Sequence, residues 1–230
     1  MYQNNKVIAF DADDTLWVNE TYFREAENEF AKLLSAFETE NKIHQELFKT
    51  EIKNLEIYGY GVKGFVLSMI ECALEISNSN IHLHSMEKIL QIGKEILEKP
   101  VELLDGVEAV LKSLAGNYKL IVATKGDLLD QERKLEKSGL LNYFHHVEVM
   151  SEKKEKDYLK LIRHLDIEPS QFIMIGNSLK SDVLPLLVIG ARAIHVPFHT
   201  TWVYEEASKQ DTMCLDYDTV DSITEILPLL

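Results

Sequence analysis

Lys6-Val-Ile-Ala-Phe10, followed by Asp11-Ala-Asp-Asp-Thr15, decides how this chain is read. A brief β-prone apolar run stops abruptly in an acidic cluster. Apolar runs this short fit strands covered on both faces, as in a parallel sheet. A strand that ends this way puts carboxylates at its carboxyl end, where open α/β sheets bind ligands. Taken alone, such a cluster also serves as a solvated loop or a helix N-cap. The rest of the chain has to choose.

From about Asn19 to Glu98 the spacing predicts helix. Phe23, Ala26, Phe30, Leu33, Leu34 and Phe37 recur at helical intervals, as do Leu67, Ile70 and Leu74, then Met86, Ile89, Leu90, Ile96 and Leu97. Turn chemistry interrupts this region at Tyr58-Gly-Tyr-Gly-Val-Lys-Gly64. Beyond Pro100 the rhythm changes. Leu120–Ala123, Val147–Met150, Phe172–Ile175 and Ala193–Val196 read as short strands. Gly106–Leu114, Leu129–Ser138, Tyr158–Leu165 and Val183–Ile189 read as amphipathic helices between them, and Asp221–Leu227 as a closing capped helix. Strands alternating with helices mean βαβ units. The expected fold class is α/β: a Rossmann-like parallel β-sheet with helices on both faces. Residues 1–16 and 100–230 would form this core, and residues 17–99 a separate α-helical domain.

Composition narrows the function. The 230 residues carry 38 acidic and 24 basic side chains, a formal net charge of −14. That excludes a broad basic face for nucleic acid and argues against binding to anionic lipid. With 46% hydrophobic and 27% charged residues the composition is that of a folded globular protein. Two cysteines, Cys72 and Cys214, make neither a zinc ribbon nor a disulfide framework and suit a reducing, cytoplasmic setting. Met1–Lys6 is polar, so no signal peptide is expected, and no apolar run approaches the roughly 18 residues that span a bilayer. If the substrate is an anion, something local must overcome the global repulsion.

The strand ends supply it. Asp11, Asp13, Asp14 and Thr15 follow the first strand, and Thr124, Lys125, Gly126 and Asp127 the second. Ser151, Glu152, Lys153 and Lys154 follow the third, and Gly176, Asn177, Ser178 and then Asp182 the fourth. Several oxygen ligands in one place invite a hard cation, foremost Mg²⁺. Threonine and lysine opposite them offer a hydroxyl, backbone N–H groups and a positive charge to a phosphate. A carboxylate beside a bound phosphate can attack it, splitting one hard displacement into two easier ones.

These residues resemble the motifs of the haloacid dehalogenase-like (HAD) superfamily. Asp11-Ala-Asp-Asp-Thr15 is similar to its DxDxT motif, Thr124 to the second-motif Ser/Thr, a lysine in Glu152-Lys-Lys-Glu-Lys156 to the third, and Gly176-Asn-Ser-Leu-Lys-Ser-Asp182 to the acidic fourth. All four occur in order, with the helical stretch between the first and second, where phosphatases of the superfamily often carry a helical cap. The resemblance implies Asp11 as nucleophile, Asp13 as general acid and then base, Thr124 on a phosphoryl oxygen, and a lysine offsetting the charge. The lysine is Lys153, Lys154 or Lys156. Lys153 is preferred because it comes soonest after the strand and has Tyr158 five residues beyond, a spacing the family often shows. For Mg²⁺ the resemblance implies Asp11, the backbone carbonyl of Asp13, Asn177 in a position often held by aspartate, and Asp182, directly or through water. True dehalogenases of the family lack an acid at the position of Asp13, so its presence favours phosphate esters.

Thr124, Lys125 and Lys63 are the candidate substrate-binding residues. Lys125 has a surface role as its alternative, and Lys63 a place in an ordinary turn between helices. Trp17 is read as hinge packing or as a pocket wall. The leading function is a Mg²⁺-dependent phosphatase of a small phosphorylated metabolite, acting as a monomer or small homo-oligomer. Its alternatives are a phosphomutase or phosphotransferase using the same Asp11, or a catalytically idle scaffold with this fold.

Overall fold

The computed structural model describes residues 6–213 and 215–230. Cys214 and residues 1–5, which entered the readings of compartment and leader, lie outside them. The chain divides into two compact units: Met1–Glu20 with Val101–Lys125 and Gln131–Leu230, and Thr21–Pro100 with Gly126–Asp130.

The first unit is a parallel sheet. Strands β1 (Val7–Phe10), β2 (Lys119–Lys125), β3 (His146–Met150), β4 (Phe172–Gly176), β5 (Arg192–His195) and β6 (Asp218–Thr219) lie in the order β3-β2-β1-β4-β5-β6. Every adjacent pair is parallel. The order reverses direction beside β1, between β1 and β4, and such a switch point opens a crevice at the carboxyl ends of the strands. Asp11 stands there, its N–H continuing the ladder to the carbonyl of Ile175 at 2.8 Å.

Side chains alternate across a strand, and both faces of this sheet are apolar. Ile8, Phe10, Leu120, Val122, Ile173 and Ile175 form one face, packed on α5 (Val107–Leu114) and on Leu135 of α6 (Leu128–Lys137). Val7, Ala9, Ile121, Ala123, Phe172 and Met174 form the other, under Tyr158, Leu161 and Ile162 of α7 (Glu155–His164) and Leu186 of α8 (Leu184–Val188). This double burial is why the central strands β1, β2 and β4 read as near-continuous apolar runs. It is the α/β architecture expected from the sequence.

The second unit is helical: α1 (Glu20–Leu33), α2 (Glu40–Tyr58), α3 (Val62–Ile76) and α4 (Leu83–Glu98) surround a core of Phe30, Leu34, Leu47, Met69 and Ile89. Two breaks lack the glycine signal seen at 58–64. Asn78 and Ser79, both at positive φ, end α3, and residues 34–39 turn between α1 and α2. Polar side chains that bond their own backbone tolerate such turns, so these breaks escaped the periodicity. The closing element also differs. Residues Ile223–Leu229 wind as a 3₁₀ helix that includes Pro228. Among the described residues no helix is long and apolar enough to cross a membrane.

Candidate active site

The polar residues of the first unit gather at the carboxyl ends of its parallel strands or in the turns that follow them. Asp11 is 7% exposed, Lys153 3% and Asp182 1%, which is extreme burial for charged groups. They survive it by pairing. Lys153 Nζ donates to Asp11 Oδ1 at 2.5 Å and to Asp182 Oδ1 at 2.7 Å. The other oxygen of Asp182 accepts the N–H of Ser178 at 3.0 Å. Asp182 lies in a short π turn, Leu179–Val183, that packs its carboxylate against Gly176, where even a Cβ would come within 2.3 Å of it.

One ammonium here serves two buried carboxylates, so a negative charge is left over. Its consequence appears at Asp11. Burial pushes this carboxyl up to about 7, although the neighbouring Lys153 ammonium works the other way; Asp182 and Asp13 add to the rise. The two carboxylates in turn hold Lys153 above its ordinary range, against the effect of burial. Asp14 is also raised to about 7 by burial, against the N–H bonds it accepts from Asn19 and Glu20 at the start of α1. Asp14 is thus a capping residue, held in the left-handed region at φ 61°.

Thr15 links the first and fourth strand ends. Its hydroxyl lies 3.2 Å from Asp11 Oδ2 and 3.3 Å from Asn177 Oδ1. These oxygens form an all-oxygen donor set beside the leftover charge, which fits a hard divalent cation. Among the described residues no three His, Cys, Asp or Glu side chains cluster to hold a metal, so a cation here needs the amide oxygen of Asn177 or backbone carbonyls.

Asp13 is tied differently. Trp17 Nε1 and Lys134 Nζ both donate to its Oδ1, at 2.8 and 2.9 Å, and Gln131 Nε2 donates to Oδ2 at 2.8 Å. Trp17 is buried, packed in the core below.

The substrate-binding candidates have other partners. The Thr124 hydroxyl donates to the carbonyl of Lys125 at 3.1 Å. Lys125 Nζ donates to Ser181 Oγ at 2.9 Å and forms an ion pair with Glu205. In the helical unit, Lys63 pairs with Asp127 at 2.9 Å. Glu205, far along the chain on the short 3₁₀ turn Val203–Glu205, also accepts hydrogen bonds from Ser178 and Ser181 at 2.6 and 2.5 Å. Burial works against its charge, but Lys125 and these hydroxyls hold the carboxyl below its usual range. Glu205, Gln131 and Lys134 are absent from the sequence reading, and Thr15 had no role there beyond its motif.

The sequence pattern of the haloacid dehalogenase-like hydrolases matches residues 5–190. The chain belongs to this family of hydrolases. A HAD-like family hydrolase from Xanthomonas campestris is 40% identical in sequence and superposes with a TM-score of 0.81 over 88% of this chain and 87% of its own. YfnB of Bacillus subtilis, a HAD-family protein described as bound to magnesium, shares the fold at 16% identity, with a TM-score of 0.67 over 99% of both chains. N-acylneuraminate-9-phosphatase of Mus musculus is 28% identical over 134 residues, 56% of this chain and 52% of that protein. The chain thus spans about half the length of the curated relatives it matches. In this HAD-like hydrolase the motif residues Asp11, Thr15, Lys153, Asn177 and Asp182 form one bonded group, while Asp13 sits in a separate set of donors.

Proposed function

We propose that this HAD-like hydrolase is a Mg²⁺-dependent phosphatase of a small phosphorylated metabolite, working through a phosphoaspartyl intermediate on Asp11. The observation that carries the reading is the uncompensated carboxylate pair: Asp11 and Asp182 share the single ammonium of Lys153. Asp11 Oδ2, Asn177 Oδ1 and the carbonyl of Asp13 would hold the metal. Asp182 would orient Lys153 and Ser178 and reach the metal directly or through water. When bound, the metal supplies positive charge to the phosphoryl oxygens.

The protein's part then follows. Asp11 forms a bond to phosphorus while the ester P–O bond breaks. The electron pair stays on the leaving oxygen, which takes a proton from Asp13. Water next attacks the aspartyl phosphate and returns a proton to Asp13. The acyl P–O pair reverts to Asp11, and inorganic phosphate leaves. Lys153 and Thr124 would offset phosphoryl charge, with Lys125 and Lys63 as the further candidates for holding the substrate. The helical unit, inserted between the first and second motifs, would act as a cap domain that selects the substrate. The mouse relative's name, N-acylneuraminate-9-phosphatase, puts small phosphomonoesters first among candidates.

A screen of phosphorylated metabolites, with Mg²⁺ and with chelator, tests the reading against Asp11→Asn as the blank. Phosphate release that needs both Mg²⁺ and Asp11 is expected. Hydrolysis that persists in Asp11→Asn, or in chelator, would overturn it.

A further inference from the structure

Asp13 is gripped by side chains that belong to no motif. Gln131 and Lys134 lie three residues apart on α6, hence on one face. Each is anchored a second time. Lys134 Nζ also donates to Asn19 Oδ1 at 2.7 Å, and Gln131 Nε2 to the carbonyl of Lys125 at 3.1 Å. Gln131 Oε1 is buried and makes no hydrogen bond among the described residues, so the fold uses this amide for its donor end. The third donor, the Trp17 indole, is only 1% exposed and has no room to swing.

We propose that Lys134 and Gln131, with Trp17, are positioning residues that aim the carboxyl group of Asp13, protonated when it meets the substrate, at the leaving oxygen. The inference rests on Asp13 being the acid–base group of the proposed phosphatase. Proton transfer needs donor and acceptor within hydrogen-bond reach, and an aspartate on two rotatable bonds does not hold that geometry unaided. A clamp with both of its long arms fixed elsewhere does. It matters most where the leaving group needs a proton. As the P–O bond breaks, p-nitrophenolate carries its electron pair away unprotonated, whereas a more basic phenolate requires the proton from Asp13.

The test is kcat/KM of the Mg²⁺-loaded enzyme for p-nitrophenyl, phenyl and p-methoxyphenyl phosphate, three probes of similar shape. Because kcat/KM covers steps up to transfer onto Asp11, it isolates the acid role. Lys134→Met should lose about tenfold or more on the two poorer leaving groups relative to p-nitrophenyl phosphate. Asp13→Asn should lose at least as much, and Lys134→Arg should recover most of it. Gln131→Met, a neutral replacement of similar length, should act in the same direction and stands in if Lys134→Met does not fold. A loss equal on all three esters, or no loss, in both the Lys134 and Gln131 variants while Asp13→Asn stays selective, would overturn the clamp alone. If Asp13→Asn shows no selectivity, or Asp11→Asn still hydrolyses the esters, the functional reading itself fails.

Discussion

At the scale of single residues, the buried trio of Asp11, Lys153 and Asp182 sets the strongest constraints. Removing the ammonium leaves two carboxylates facing each other out of water. Breaking a buried ion pair from one side costs about 3–5 kcal/mol, so Lys153→Met should lose about that much in denaturant unfolding at neutral pH. A loss under about 1 kcal/mol would mean that Lys153 does not hold the pair. Gly176 is constrained from the other side. Its missing Cβ leaves room for Asp182, whose Oδ2, Cγ and Cβ would lie 2.3, 2.4 and 2.6 Å from an added methyl carbon. Overpacking of this kind costs about 1–3 kcal/mol. Gly176→Ala should therefore lower the melting temperature by about 2–12 °C and displace Asp182 from Lys153. A melting temperature equal to wild type would show that the π turn yields freely.

At the scale of elements, the 3₁₀ turn at Val203–Glu205 reaches the turn after β4 through the Glu205 carboxylate and through Lys180, which donates to the carbonyl of Tyr204 at 2.7 Å. Glu205 accepts from both Ser178 and Ser181 and pairs with Lys125. Hydrogen bonds to a charged group contribute about 1.5–3 kcal/mol each at most. Glu205→Gln keeps the shape and drops the charge, so it should destabilise by about 2–3 kcal/mol and speed amide exchange in residues 201–206. Unchanged exchange there would show that the turn is held by other contacts. This link also marks where sequence reading stops. The central strands β1, β2 and β4 are legible because burial on both faces leaves near-continuous apolar runs. Asp11, Lys153 and Asp182 are legible because each stands just beyond a strand and parallel strands bring their ends together. Lys134 and Gln131 look like the polar face of an amphipathic helix, and only the packing of α6 shows that this face meets Asp13. Glu205 has no strand beside it and no periodicity around it; its pairing with Lys125, 80 residues away, leaves no local trace. The clamp and this bridge are tertiary facts, whereas the bonded group around Asp11 is a topological one.

For the whole molecule, charge is the governing quantity, and it ties stability to pH and metal. Asp11 and Asp14 both have carboxyls raised to about 7 by burial, well above their unfolded values near 3.8. Folded, they bind a proton more tightly than unfolded. Between about pH 4 and pH 7 the folded chain keeps protons that the unfolded chain has released, so their contribution is full below pH 4 and lost as pH rises through 7. Self-repulsion in a chain of net charge −14 acts in the same direction, because acidification reduces that charge. Glu205 acts oppositely, being held below its ordinary 4.5, but its contribution is lost only as pH falls through still lower values. In chelator, the melting temperature should therefore be higher near pH 5 than near pH 8. Mg²⁺ should reverse this order. A cation that binds the ionised Asp11 of the folded chain stabilises as the logarithm of one plus the ratio of its concentration to its Kd, and protons compete with it below pH 7. The rise on adding Mg²⁺ should thus be larger at pH 8 than at pH 5, and small at both in Asp11→Asn. Thermal melts over this grid decide the matter: an equal rise at both pH values, or an undiminished rise in Asp11→Asn, would place the stabilising cation away from Asp11 and remove the charge argument for the proposed metal site.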